Sequence, residues 1–306
     1  MNRRLFIRDT AYTGLILSTG AFPLIALADE AEIIRLTILH TNDVHSRIEP
    51  FPMDGGKNEG LGGVAKRSTL INRVREEQKN VLLFDAGDIF QGTPYFNFFG
   101  GELELKLMSE MGYDAGTIGN HDFDGGIDGL EHQLKHANFP LLITNYDFSD
   151  TVLGGKTLPY KIFNKGGIKI GVFGVGIELK GLVPDVLYKN TQYSDPITAA
   201  NKYSAYLREE EKCDFVICLS HLGYKYDENK ISDRVLAAST SNVDLIIGGH
   251  THTFMKQPER MLNIVNKPVL INQVGWAGII LGRLDVFFER NKKGLCVTCK
   301  NLMVGT

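Results

Sequence analysis

Ile34-Arg35-Leu36-Thr37-Ile38-Leu39-His40-Thr41-Asn42-Asp43-Val44-His45 joins an apolar, strand-like run to a polar segment carrying a carboxylate, an amide and two imidazoles. The same pattern recurs along the chain. Val81 to Phe84 leads into Asp85-Ala86-Gly87-Asp88, and Ala115 to Ile118 leads into Gly119-Asn120-His121-Asp122-Phe123-Asp124. Phe215 to Leu219 ends in Ser220-His221, and Leu245 to Ile247 ends in Gly248-Gly249-His250-Thr251-His252. Helical stretches separate these runs: Val64 to Glu77, Glu102 to Met111, Ile127 to His136, Pro196 to Glu211 and Ile231 to Ser239. In the first, Val64, Leu70, Ile71 and Val74 share one side; in the fourth, Pro196 suits the first helical turn. Continuous apolar strands between amphipathic helices indicate an α/β fold whose sheet is covered on both faces.

The remaining segments extend that reading. Leu141 to Thr144 has the composition of a further strand. Tyr160 to Phe163 and Ile168 to Val175 form a hairpin through Asn164-Lys165-Gly166-Gly167. The end is all β, with runs at Val269 to Ile271, Ile279 to Phe288 and Leu295 to Met303, and a turn at Asn291-Lys292-Lys293-Gly294. No internal repeat and no linker rich in Pro, Gly or Ser divides the chain. These features predict one compact domain of two packed sheets under outer helices.

A length of 306 residues allows one large α/β domain or two smaller ones. Hydrophobic residues at 43% and charged residues at 23% exclude a disordered tail, a collagen-like fibre and a polytopic membrane protein. With 33 basic against 36 acidic residues, no general basic surface draws the chain to a nucleic acid polymer. Attraction for an anionic substrate must therefore be local. Four cysteines are too few for a disulfide scaffold. Cys213 and Cys218 flank an apolar strand, and the Cys296–Cys299 pair lacks a second pair to complete a zinc site, so all four read as ordinary thiols.

Residues 1–28 read as an address label. Asn2-Arg3-Arg4-Leu5-Phe6-Ile7-Arg8 opens a basic region, an apolar run follows from Ala11 to Leu27, and Ala26-Leu27-Ala28 offers a small-x-small cleavage pattern. The paired arginines followed by Phe6 resemble a twin-arginine export signal. An ordinary secretory signal or an uncleaved membrane anchor are the other readings of the same residues. The expectation is an exported, periplasmic protein with no integral membrane segment once the signal is removed.

Five strand ends thus present Asp, Asn or His beside a turn, the place where open α/β sheets bind ligands. A core has no use for such residues there, because each buried polar group costs free energy unless it is paired. Singly they have bland uses: an exposed turn for Asp43-Val44-His45, an Asp-rich turn at Asp85 to Asp88, a helix cap at Asn120. Together they make one convergent site. Carboxylate, amide and imidazole without thiolate suit manganese, ferrous iron or zinc. The set is large enough for two divalent metal ions bridged by one carboxylate, an arrangement that clamps both oxygens of a phosphoryl displacement.

The ordered set D-x-H, G-D, G-N-H-[DE], strand-plus-His and G-H-x-H resembles the signature of the calcineurin-like metallophosphoesterases. More narrowly, Leu39 to His45 with Gly119 to Asp124 is similar to the 5′-nucleotidase and UDP-sugar hydrolase branch. The resemblance implies a four-layer α-β-β-α sandwich of the metallo-dependent phosphatase type over residues 29–306. It places Asp43, His45 and His252 on a first metal, Asp88 as the bridge, and Asn120, His221 and His250 on a second. Branch members often carry glutamine where this chain has His252. His121 takes the catalytic role, protonating the leaving oxygen and oriented by Asp124, while a water or hydroxide held by the metals attacks. An adjacent carboxylate favours the protonated ring, which lets an imidazole act as an acid near neutrality. Asn42 and Asn145 are candidates for supporting the site, and Trp276 either lines it or serves packing.

The implied activity is a dimetal phosphomonoesterase acting on nucleoside 5′-monophosphates or similar phosphate esters outside the cytoplasm. A phosphodiesterase for cyclic nucleotides or UDP-sugars is the alternative, with a thiosulfohydrolase behind it. Branch members also carry a C-terminal domain that holds the base, and this sequence ends at Thr306. The expectation is either broader specificity or a separate C-terminal nucleotidase-type domain protein as partner.

Overall fold

Alternation along the strands decides the layering. A computed structural model describes residues 33–289 and 292–305. The signal-like segment 1–28 and Asn291 of the expected turn lie outside the described residues. The first half contains β1 (Ile33–Thr41), α1 (Val64–Glu77), β2 (Val81–Asp85), α2 (Pro94–Phe99), α3 (Glu102–Glu110), β3 (Ala115–Gly116), α4 (Gly126–Gln133) and β4 (Tyr146–Asp147). Next come β5 (Tyr160–Lys165), β6 (Ile168–Gly176), α5 (Asp185–Tyr188), β7 (Gln192–Tyr193), α6 (Pro196–Glu209), β8 (Phe215–His221) and α7 (Asp233–Ser239). The chain closes with β9 (Leu245–Gly248), β10 (Glu259–Leu262), β11 (Pro268–Asn272), β12 (Ile280–Glu289), β13 (Lys292–Cys299) and β14 (Leu302–Met303).

One sheet has the order β13-β12-β1-β2-β3, with β14 also paired to β12; the other has the order β10-β11-β9-β8-β6-β5. In the first, β1, β2 and β3 run parallel and the β1–β12 and β12–β13 pairings are antiparallel. In the second, β11, β9, β8 and β6 are parallel and the outer strands β10 and β5 pair antiparallel. Successive side chains of a strand face opposite sides, and here both sides are apolar. Leu36, Ile38, Leu82 and Phe84 of the first sheet meet Ile170, Val172, Phe215 and Ile217 of the second in a central core. Their neighbours Leu39, Val81 and Leu83 face outward onto α1, α3 and α4 through Ile71, Val74, Leu105, Met108 and Leu130. On the far side, Phe173, Val216, Cys218 and Ile246 pack under α6 and α7 through Ala200, Leu207 and Leu236. Three apolar cores separate four layers, so the chain is an α-β-β-α sandwich. Two edge-to-face pairs, Phe84 with Phe163 at 5.7 Å and Phe215 with Phe288 at 5.8 Å, join the sheets across the middle.

Three local expectations are corrected. Leu141 to Thr144 is not a strand, because successive residues bond to different partners. Leu142 N–H donates to Gly116, Ile143 to Leu158 and Thr144 to Gly174 in the opposite sheet. The segment therefore crosses between sheets instead of laddering along one. The expected strand Leu295 to Met303 begins earlier, at Lys292, so the predicted turn there is not formed as drawn, and it is divided into β13 and β14 around Asn301, whose side chain donates to the Met255 carbonyl. The run Ala115 to Ile118 keeps only two residues in register with β2. Helix α2 carried no sequence signal because it buries no residue and so has no apolar stripe; Pro94 opens it and Gly100, at φ 60°, closes it.

Candidate metal centre

The parallel strands of both sheets deliver their carboxyl ends to one place. Asp43 and His45 follow β1, Asp88 follows β2, Asn120 and His121 follow β3, His221 closes β8, and His250 and His252 follow β9. Five of these side chains sit on left-handed backbone: Asp43 (φ 50°), His45 (51°), Asp88 (55°), His250 (72°) and His252 (51°). Such conformations cost non-glycine residues about 1–3 kcal/mol each and persist where surrounding structure enforces them. Here the enforcement is visible. Asp43 N–H donates to Gly87 (3.0 Å), His45 N–H to the Asp88 carbonyl (3.1 Å), and the Ala277 N–H donates to the Asp43 carbonyl (2.7 Å).

The side chains form two groups, Asp43–His45–His252 and Asp88–His221–His250, each able to hold a metal ion. In the first, His45 Nε2 lies 3.0 Å from His252 Nε2, and His252 Nε2 lies 3.4 Å from Asp43 Oδ1. His45 Nδ1 faces the Phe90 carbonyl at 3.2 Å, so that nitrogen donates and Nε2 is left with its lone pair toward the group. Burial pushes the His45 ring below its ordinary pKa despite the charges of Asp88 and Asp43. Asp43 accepts the His250 N–H on both oxygens, at 2.9 and 3.0 Å, and the Asn42 amide at 2.6 Å.

In the second group, His221 is wholly buried and donates from Nδ1 to the Ala86 carbonyl at 2.7 Å. Its Nε2 lies 3.1 Å from Asp88 Oδ2 yet lacks a well-aligned hydrogen bond. A lone pair facing a carboxylate needs positive charge between them, either a proton or a cation. Without a cation the proton serves. Burial pushes His221 down, but the Asp88 charge outweighs it and lifts the ring to about 10. Burial correspondingly raises the Asp88 carboxyl, and His221, with His45 and His121, overcomes this and holds it below the usual range. His250, driven down to about 4 by burial and by the His221 charge, is neutral and donates from Nδ1 to Asn120 Oδ1 at 2.8 Å. Oxygen and imidazole donors without thiolate fit hard-to-borderline divalent ions.

His121 stands apart from both groups. Its N–H donates to Asp88 Oδ1 at 2.8 Å, its Nδ1 pairs with Asp124 Oδ2 at 2.8 Å, and 41% of its side chain is exposed. Burial lowers this ring, but the Asp124 hydrogen bond and the Asp88 charge outweigh it and raise the pKa. With Nδ1 held by Asp124, Nε2 is the nitrogen free to meet a ligand.

Asp122 is the residue that sequence reasoning quoted without assigning a role. Its two oxygens accept four backbone N–H groups, from Asp88, Ile89, Phe90 and Gly119, tying the loop after β2 to the loop after β3. A carboxylate within the motif itself was the only signal. Asn42 donates to Asp43, and Asn145 directs its amide to both main-chain groups of Gly176, the residue paired with His221 across β6 and β8, at 2.8 Å each. Trp276 lies in the site wall, stacked on His252. Cys213 and Cys218 are buried free thiols.

The sequence pattern of the calcineurin-like phosphoesterases matches residues 36–254. A snake venom 5′-nucleotidase from Gloydius brevicauda is 36% identical over 284 residues, which cover 86% of this chain and 47% of that protein. The 5′-nucleotidase of Rattus norvegicus is 35% identical over 310 residues, covering 94% of this chain and 52% of that one. Among solved structures, the 5′-nucleotidase precursor from Thermus thermophilus superposes with a TM-score of 0.78 at 32% identity, covering 89% of this chain and 55% of that one. The chain spans about half the length of the curated relatives it matches. The matched region runs from β1 through the loop that carries His250 and His252, and takes in both ligand groups. By sequence and by fold, the chain belongs to the calcineurin-like phosphoesterase family.

Proposed function

We propose that this chain is a metal-dependent phosphomonoesterase hydrolysing nucleoside 5′-monophosphates or similar phosphate esters outside the cytoplasm. The observation that carries the reading is the pair of adjacent ligand groups with His121 poised beside them on Asp124. Asp43, His45 and His252 hold one divalent ion; Asn120, His221 and His250 hold the other; Asp88 serves both. Manganese, zinc and iron all suit such oxygen-and-imidazole donors. When bound, the two ions supply Lewis acidity toward the phosphoryl oxygens and activate the attacking water.

The chain's own residues do the rest. Asp124 orients the His121 ring through Nδ1 and favours its protonated form, so that Nε2 of the imidazolium carries the proton delivered to the leaving oxygen. The Asp88 carboxylate, aimed by the His121 N–H, couples the acid to the ligand groups. The 5′-nucleotidase relatives favour a nucleotide over the alternative of a cyclic nucleotide or UDP-sugar diester. They also carry about as much sequence again as they share with this chain. The signal-like residues 1–28 support export, with residues 29–306 as the catalytic domain. Among the described residues, no helix is long and apolar enough to cross a membrane.

The test is phosphate release from 5′-AMP by the purified chain supplied with manganese, with His121→Ala alongside. Rapid release abolished by the substitution is the expected result. No release from a manganese-loaded preparation overturns the reading.

A further inference from the structure

The wall beside the Asp43–His45–His252 group is aromatic and layered. Trp276 stacks on His252 with ring centroids 5.8 Å apart and planes 9° from parallel. Phe51 meets Trp276 edge-on at 5.7 Å, and the Arg47 guanidinium lies 4.1 Å from the centre of the Phe51 ring. The loop that presents the indole is held at several points. Asn42 accepts the Val274 N–H at 2.9 Å and donates to the Gly275 carbonyl at 2.6 Å. Gly275 N–H donates to Thr253 and Ala277 N–H to Asp43. Gly275, Ala277 and Gly278 all adopt positive φ, at 77°, 57° and 61°, which turns the backbone sharply on either side of the indole. His252 itself is the exposed member of its group: 40% of its side chain is open, and His45 and Asp43 approach its Nε2 at 3.0 and 3.4 Å.

A ring so open has other rotamers available toward solvent. Burying one of its faces against a fixed indole removes them. We propose that Trp276 is a positioning residue for His252: the indole sets the imidazole plane and keeps Nε2 in front of Asp43 and His45, so that this group binds its cation as a pre-organised site. Phe51 and Arg47 back the indole. The inference rests on the two-ion reading above and adds to it a residue outside the ligand set, one that acts on a single ion. Ordering a ligand beforehand lowers the cost of binding, and loss of a group that orients a ligand typically weakens a metal about 10–100-fold.

Because Trp276 is the one tryptophan in the sequence, the same residue reports on the site. The experiment is calorimetric titration of the metal-free full chain with manganese alone, without substrate, for wild type, Trp276→Ala, Trp276→Phe and His252→Ala. Wild-type tryptophan emission and thermal midpoints are recorded in parallel. Wild type should take two ions, with emission changing as the His252 group fills. Trp276→Ala should weaken one ion about ten-fold and leave the other at its wild-type affinity, Trp276→Phe should recover most of the loss, and His252→Ala should remove the emission change. Wild-type affinity for both ions in Trp276→Ala overturns the inference. So does equal weakening of both together with a lower thermal midpoint, which is what a merely structural tryptophan would give. A wild-type chain that takes up no manganese overturns the two-ion reading, and the inference with it.

Discussion

Asp122 carries Asp88 from below: its Oδ2 accepts the Asp88 backbone N–H at 3.1 Å and that of Gly119 at 2.7 Å. Its Oδ1 accepts Ile89 at 2.8 Å and Phe90 at 3.2 Å. Burial, aided by the Asp88 charge, pushes the Asp122 carboxyl up to about 7 against those donors. Asp122→Asn replaces one accepting oxygen with an amide that faces N–H donors. Each buried donor left without an acceptor costs about 1–3 kcal/mol, so the variant should lose roughly 3 kcal/mol of stability in a urea unfolding series. An unchanged midpoint would show that the four N–H groups have other acceptors.

Asn42 joins Asp43 to the loop of Trp276 through three hydrogen bonds, to Asp43 Oδ2, to the Gly275 carbonyl and from the Val274 N–H. Asn42→Ala leaves Asp43 on its strained backbone but free to turn. Manganese affinity should fall about 10–100-fold, the usual effect of removing a group that orients a ligand. Equilibrium dialysis against manganese checks this. Wild-type affinity in the variant would mean that the His250 N–H alone fixes the carboxylate.

Much of this was legible in the sequence because it follows from period and order. Helix α1 falls on Val64–Glu77 as its apolar spacing predicts, and the polar strand ends fall together at one edge of the sandwich. What stayed hidden depends on contacts between distant segments. Nothing local marks Asp43, His45 and Asp88 as left-handed, since their backbones are held by hydrogen bonds between the loops after β1 and β2, from Ala277 to Asp43 and from Asp88 to Asp122. Leu141 to Thr144 has strand composition, but its partners change at each residue, and composition carries no information on partners. Trp276 could be assigned neither to the site nor to the core, because its stacking on His252 brings together residues 24 positions apart.

Phe84 tests the central layer. It is fully buried on β2 and meets Phe163 of the opposite sheet edge-on at 5.7 Å. Phe84→Ala removes this bridge and opens a cavity between the sheets, at a cost of about 3–5 kcal/mol. Phe98 on α2, at 80% exposure, is the control: Phe98→Ala should change stability by less than about 0.5 kcal/mol. Denaturant midpoints that fail to separate the two variants would contradict the layering.

His40 predicts how stability responds to acid. It is fully buried at the end of β1, and its Nε2 accepts the Asn272 amide at 2.8 Å, so Nδ1 carries the single ring proton. Burial alone pushes its pKa from 6.5 down to about 3. The unfolded chain therefore binds a proton below pH 6.5 that the folded chain refuses until about pH 3. The contribution is complete above the unfolded value and is lost as pH falls through that window, with a slope of about 1.4 kcal/mol per pH unit for one group. His40→Gln keeps an acceptor for Asn272 and has no proton to gain. The difference in unfolding free energy between wild type and His40→Gln should thus shift against wild type steadily from pH 6.5 downward, with other titrating groups cancelling in the comparison. Urea unfolding of both proteins at intervals between about pH 7 and 4 measures it. A difference that does not change with pH would show that the ring accepts its proton in the folded state as readily as in the unfolded one.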